Sequence, residues 1–101
     1  MSVSDLFKST RLPVIAAPLF IISYPELVVA QCKAGVIGSF PALNARPAEE
    51  LEKWIIKIST ELDKYKKEHP DEIVSPFAVN QICHSSNDRL EHDVEICVKH
   101  K

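Results

Sequence analysis

The chain has 101 residues, of which 46% are hydrophobic and 26% are charged, and its formal net charge is −2. This length and composition are typical of one globular domain with a modest core. The near-neutral charge gives no electrostatic basis for binding nucleic acid. No apolar stretch reaches the roughly 18 uninterrupted residues of a transmembrane helix, and residues 1–11 lack the apolar segment of a secretory signal. We therefore expect neither nucleic acid nor a membrane as partner.

The three cysteines are odd in number and irregularly spaced, at Cys32, Cys83 and Cys97. Their spacing matches neither a zinc site nor a disulfide framework. Free cysteines of this kind are typical of a reducing compartment, so we expect a cytoplasmic protein.

The first predicted element is a strand over residues 12–16. These residues are continuously apolar, which predicts a strand buried on both faces. Pro18 ends the strand because it lacks a backbone N–H and has a fixed φ. A short, very apolar loop, residues 19–22, follows it.

The second predicted element is a helix over residues 23–34. Ser23 and Glu26 have the spacing of a capping box, and Pro25 is tolerated in the first turn of a helix. Gly35 lies where a helix commonly ends with a residue of positive φ. A second apolar strand is predicted over residues 36–39.

Two further helices and one strand complete the pattern. A long helix begins at Pro47, and its apolar residues recur at helical spacing: Leu51, Trp54, Ile55, Ile58, Leu62 and Tyr65. The third strand is centred on residues 77–79. The last helix begins at Asp88, which forms a second capping-box pair with Glu91, and its inward positions are predicted to be Leu90, Val94, Cys97 and Val98.

The resulting order, β-α-β-α-β-α, predicts a parallel sheet with right-handed crossovers. Three strands that are fully buried would leave both sheet edges unpaired if they folded alone. We therefore interpret residues 1–101 as a single partial α/β domain. The expected fold is the N-terminal βαβαβα portion of a TIM (β/α)₈ barrel with parallel strands.

In parallel α/β folds, chemistry takes place at the carboxyl ends of the strands. Ala17, Pro18 and Leu19 follow the first strand and offer backbone hydrogen-bonding groups beside an apolar wall. Asn80 ends the third strand with an amide that can donate and accept. This combination favours an aromatic heterocycle, and it has the general form of a cofactor site.

Other candidate residues have ordinary structural explanations. His84 lies in a strand-end loop and could line a pocket or act as an acid or base, but a solvent-facing or loop-bonding histidine is the more ordinary explanation. Cys32 and Cys97 fit helix packing better than nucleophilic catalysis. The two glycines form neither a dinucleotide-binding nor a phosphate-binding loop motif.

The sequence resembles the nitronate monooxygenases, formerly called 2-nitropropane dioxygenases. The likeness begins with LPVIAAPL at residues 12–19, which is similar to the opening strand of that family. It continues in the same order along the chain, at residues 25–27 (PEL), 33–39 (KAGVIGS), 47–51 (PAEEL) and 77–80 (FAVN).

This resemblance implies a TIM barrel that binds FMN non-covalently and oxidises alkyl nitronates with O₂ to a carbonyl compound and nitrite. It implies that Ala17, Pro18 and Leu19 lie against the flavin ring and that Asn80 contacts FMN. Leu19 replaces a methionine that is usual in the family, and residues 20–23 replace a turn that is commonly glycine-rich. The family's glycine-rich phosphate site and its catalytic histidine have no counterpart here. No catalytic residue is therefore assigned, and the 101 residues alone are expected to be inactive.

Two alternatives remain open from the sequence. The same opening strand would suit a flavin-type enoyl-acyl-carrier-protein reductase, which consumes NAD(P)H. A non-catalytic βα module would instead pair its exposed strand edges with itself or with a partner, so self-association is also left open.

Overall fold

The computed structural model describes residues 2–100 and has an α/β architecture. Its elements are α1 (Val3–Phe7), α2 (Pro25–Lys33), β1 (Gly38–Pro41), a 3₁₀ turn (Ala42–Asn44), α3 (Glu50–Glu68), β2 (Phe77–Asn80) and α4 (Leu90–Lys99). Strands β1 and β2 pair in parallel, and a single parallel bridge joins Ile15 to Ile37. The three extended segments therefore lie side by side in chain order. The α/β class with parallel strands is confirmed.

The first predicted strand is shorter and more exposed than expected. Its bridge consists of the Ala16 N–H bonded to the Ile37 carbonyl at 2.8 Å and the Ile37 N–H bonded to the Val14 carbonyl at 3.0 Å. Leu12, Val14 and Ile15 are 57%, 45% and 53% exposed. The prediction of burial on both faces is wrong because the described helices pack over β1 and leave these side chains uncovered.

Neither predicted capping box forms. Helix α2 has Tyr24 as its N-cap without a side-chain hydrogen bond, and Pro25 occupies its first turn. The Ser23 hydroxyl is used elsewhere, because it accepts a 2.8 Å hydrogen bond from the Leu19 N–H. Helix α4 likewise has no side-chain cap, and its N-cap residue is Arg89. A side chain that bonds to a neighbouring loop is not available as a cap.

The long helix agrees well with its periodic pattern. Helix α3 begins at Glu50 rather than at Pro47 and buries four of the predicted apolar residues, Leu51, Ile55, Ile58 and Leu62. They meet α2 and β1 in one core with Val28, Val29, Cys32 and Phe40. The single tryptophan, Trp54, packs edge-on against Phe40 with ring centroids 5.5 Å apart. Its fluorescence is therefore a suitable reporter of unfolding.

Helix α4 is oriented differently from the prediction. Val94 and Val98 are 41% and 64% exposed, whereas Asp93 is fully buried. The predicted inward face is therefore wrong for both valines. Asp93 instead turns inward and forms an ion pair with the partly buried Arg89, an interaction that the apolar spacing of the helix does not include.

Gly38 allows α2 to lie directly on β1. A Cβ atom at this position would be 2.6 Å from the Val28 carbonyl oxygen. We expect Gly38→Ala to lower the free energy of unfolding by about 1–3 kcal/mol, because the helix would have to move off the strand. Urea denaturation followed by Trp54 fluorescence measures this change. An unchanged midpoint would show that α2 can shift at little cost.

Candidate functional site

The candidate site is the edge where the parallel segments end. Pro41 lies opposite Asn80 at the carboxyl end of the sheet, and Ala17 follows the Ile15 bridge on the other side of β1. Ala17, Leu19 and Asn80 are exposed, and Pro18 is partly buried. The structure thus places all four predicted site residues at one edge. Two inter-strand spacings, about 10 Å, separate the first segment from β2.

Several backbone groups of Ala17 and Pro18 have no backbone hydrogen-bond partner in the described part of the chain. The Ala16 carbonyl accepts a hydrogen bond from the Ser39 hydroxyl. Within residues 2–100, by contrast, no backbone group bonds the Ala17 N–H or the carbonyls of Ala17 and Pro18. One donor and two acceptors beside the apolar side chain of Leu19 are therefore free to bond a ligand. This arrangement suits the polar edge of a planar heterocycle.

Asn44 clamps the loop formed by residues 19–23. Its side chain is buried, and its Nδ2 donates to the carbonyls of Leu19 (3.1 Å) and Ser23 (3.0 Å). Its Oδ1 accepts from the Ile21 N–H at 3.2 Å. The amide thus supplies the partners of the Ile21 N–H and the Ser23 carbonyl, and it adds a second donor to the Leu19 carbonyl, which also accepts from the Ser23 N–H at 2.9 Å. Sequence reasoning missed this residue, whose only signal was an asparagine in an otherwise apolar segment after a predicted strand.

The clamped loop contains a strained residue. Ile21 has φ +67°, in the left-handed region that β-branched residues rarely adopt. Such a conformation costs on the order of 1–3 kcal/mol and persists only where surrounding bonds hold it. The Asn44 bond to the Ile21 N–H provides that restraint. The loop is therefore held in one shape although the side chains of residues 19–22 are exposed.

An ion pair between Arg89, which is partly buried, and Asp93, which is fully buried, connects α4 to the carboxyl end of the sheet. Arg89 Nη2 lies 3.2 Å from both carboxylate oxygens of Asp93. The guanidinium also donates to the carbonyls of Ala45 (2.7 Å) and Ala42 (3.3 Å), just after β1. His92 Nδ1 is 2.8 Å from the same carboxylate. Sequence reasoning missed this cluster, although the four-residue spacing of Arg89 and Asp93 was a local signal for the ion pair. The bonds to Ala45 and Ala42 span 44 and 47 residues and had no such signal.

The remaining candidates have structural roles. His84 is exposed, and its Nδ1 accepts a 3.1 Å hydrogen bond from the Ser86 N–H within a local turn. Burial raises the pKa of the Cys32 thiol and of the Cys97 thiol, which disfavours the nucleophilic thiolate at both positions. These environments agree with packing roles for the two cysteines.

The described part of the chain was searched for clusters of metal ligands and for membrane-spanning helices, and neither is found there. Across residues 2–100, no three His, Cys, Asp or Glu side chains come together in a way that could hold a metal ion. None of the helices described there has the length and apolar character needed to cross a membrane.

Comparison of the chain with protein-family models, curated proteins and solved structures yields no match. The resemblance to the nitronate monooxygenases therefore depends on the ordered sequence motifs alone. The FMN assignment and the cytoplasmic location remain predictions.

Proposed function

We propose that this chain forms the first three βα units of an FMN-binding (β/α)₈ barrel and that the barrel is a nitronate monooxygenase. Two features support the barrel. The parallel segments follow one another in chain order, as in a TIM barrel, and the first of them exposes apolar side chains that further strands or helices would cover. The ordered motifs support the nitronate monooxygenase assignment.

The unbonded backbone at Ala17 and Pro18 is the observation that carries the cofactor assignment. The Ala17 N–H can donate to an acceptor on the ring, and the two carbonyls can accept from a ring N–H. Leu19 offers an apolar contact, and Asn80 adds an amide across the edge. When bound, FMN supplies the redox chemistry that converts an alkyl nitronate and O₂ to a carbonyl compound and nitrite. The residues of this chain bind and orient the ring.

Binding of FMN can be compared with binding of lumiflavin, which has the same ring without the phosphate. This comparison tests the proposed contacts to the flavin ring directly. We expect the 101-residue chain to bind both weakly and with similar affinity, because the residues that we assign contact only the ring. Asn80→Ala should weaken both about five- to tenfold, since a lost hydrogen bond is worth roughly 1 kcal/mol. Quenching of flavin fluorescence gives the affinities.

Two results would contradict this assignment. If the fluorescence of neither flavin is quenched at millimolar protein, the assigned residues do not bind the flavin ring. Tight, phosphate-dependent binding of FMN would show that the chain holds a complete site, contrary to the proposal. In the complete barrel that contains this sequence, nitrite release from propyl-2-nitronate tests the reaction, and consumption of NAD(P)H would instead assign the enoyl reductase alternative.

A further inference from the structure

The carboxyl edge of the sheet carries a cation without a carboxylate partner, Arg46. Three segments form this edge: residues 17–25, 39–48 and 77–87. Arg46 is the only Lys or Arg in these segments, and none of them contains Asp or Glu. The acidic residues nearest to them in the chain lie at or next to the starts of the following helices: Glu26, Glu49 and Asp88. No ion pair within residues 2–100 includes Arg46, which is exposed, so its charge is available to an anion.

Two contacts hold the Arg46 guanidinium and leave its tip free. Nε donates to the Leu43 carbonyl at 3.1 Å, and Cζ lies 5.1 Å from the centroid of the Phe20 ring. Within residues 2–100, neither Nη1 nor Nη2 has a hydrogen-bond partner. A guanidinium with two free terminal nitrogens can bind a planar group that has two oxygens in a bidentate way. Because the stem and the ring contact already restrain the side chain, less conformational entropy is lost when an anion binds.

Arg46 lies beside the residues that we assign to the flavin ring. Phe20, which the guanidinium covers, directly follows Leu19 in the chain. Asn44, in the same loop as Arg46, donates to the Leu19 carbonyl at 3.1 Å. The loop that carries Arg46 and the loop that begins at Leu19 are therefore joined. An anion on the Arg46 guanidinium would lie next to the Phe20 ring, which is 55% exposed.

We infer that Arg46 binds the two oxygens of the nitronate substrate and that Phe20 contacts its alkyl group. A nitronate is an anion with two oxygens on a planar nitrogen, and this group has the shape that a guanidinium recognises in a carboxylate. The inference rests on the proposed function, from which it takes the substrate. It adds the residue that recognises the charge of that substrate.

Titration of the 101-residue chain with propyl-2-nitronate, followed by NMR at the Arg46 Nε–H and the Phe20 amide, tests this assignment. We expect saturable shifts at both groups, and none with neutral 2-nitropropane, which has the same carbon skeleton. Arg46→Gln should weaken nitronate binding about three- to fivefold, the effect of one exposed ion pair. It should leave the affinities for FMN and lumiflavin unchanged.

Arg11→Gln is the matched control for the loss of one positive charge. Arg11 is also exposed, but its N–H bonds to the Gly35 carbonyl at the amino end of the sheet. The variant should therefore leave nitronate binding unchanged. Equal weakening by Arg46→Gln and Arg11→Gln, or the absence of a shift at Phe20, would overturn the assignment of Arg46.

The flavin measurements separate this inference from the proposed function. If Arg46→Gln weakens the binding of FMN but not of lumiflavin, the guanidinium binds the flavin phosphate, and the inference is wrong although the flavin site exists. Saturable nitronate binding that depends on Arg46, in a chain that quenches neither flavin, would support the inference and contradict the flavin assignment alone.

Discussion

Arg89→Ala is expected to lower the free energy of unfolding by about 3–5 kcal/mol, the cost of leaving a buried charge without its partner. The charge left behind is Asp93, whose side chain is fully buried. The substitution also removes the donors that hold the carbonyls of Ala42 and Ala45 after β1. Urea denaturation followed by Trp54 fluorescence measures the loss.

Two further variants determine whether the burial of the pair explains the effect. The double variant Arg89→Leu with Asp93→Leu should recover much of the lost stability, because a hydrophobic pair carries no uncompensated charge. The surface pair Lys57 and Glu26, 3.0 Å apart and well exposed, is the control, and Lys57→Ala should leave the midpoint nearly unchanged. Equal effects of Arg89→Ala and Lys57→Ala would contradict the buried-anchor explanation.

Asn44→Ala is expected to lower the free energy of unfolding by about 2–4 kcal/mol, since it leaves the Ile21 N–H and the Ser23 carbonyl without partners and removes one of the two donors to the Leu19 carbonyl. Hydrogen exchange at the Ile21 amide should accelerate at the same time, because its acceptor is lost. Asn80→Ala is the matched control. Asn80 is exposed at the end of β2, so its removal should change stability by less than about 0.5 kcal/mol.

Asn44 and Asn80 are assigned different roles at the carboxyl end of the sheet: Asn44 stabilises the fold, and Asn80 binds the flavin. If Asn44→Ala changes neither the unfolding midpoint nor amide exchange at Ile21, contacts other than those of the Asn44 side chain hold the loop. If Asn80→Ala is as destabilising as Asn44→Ala, the strand-end amide is structural, and its assignment to the flavin site loses its basis.

The structure confirms three sequence predictions that depend on local patterns. Helix α3 was predictable because its apolar residues recur at helical spacing over about four turns, from Leu51 to Tyr65. Gly35 was predictable as a helix terminus, and its φ of +92° agrees with that role. Strand β2 lies where residues 77–79 predicted it. In these segments, local preference and tertiary packing favour the same conformation.

The missed features depend on loop and tertiary contacts that helix and strand spacings do not encode. Ser23 and Glu26 had the spacing of a cap, but the hydroxyl bonds to Leu19 instead. Asn44 acts on a loop 21–25 residues away. The apolar spacing of the last helix predicted that Val98 would be buried, whereas Asp93 is buried and Val98 is exposed.

Periodicity and composition were enough to predict the alternation of strands and helices and the apolar character of residues 12–22. The exposure of this apolar stretch and the bonds from Asn44 to its loop follow from the three-dimensional fold. It also decided that Arg89 and Asp93 join α4 to the carboxyl edge. Burial and hydrogen bonding depend on which segments meet in space, and a one-dimensional pattern does not contain that information.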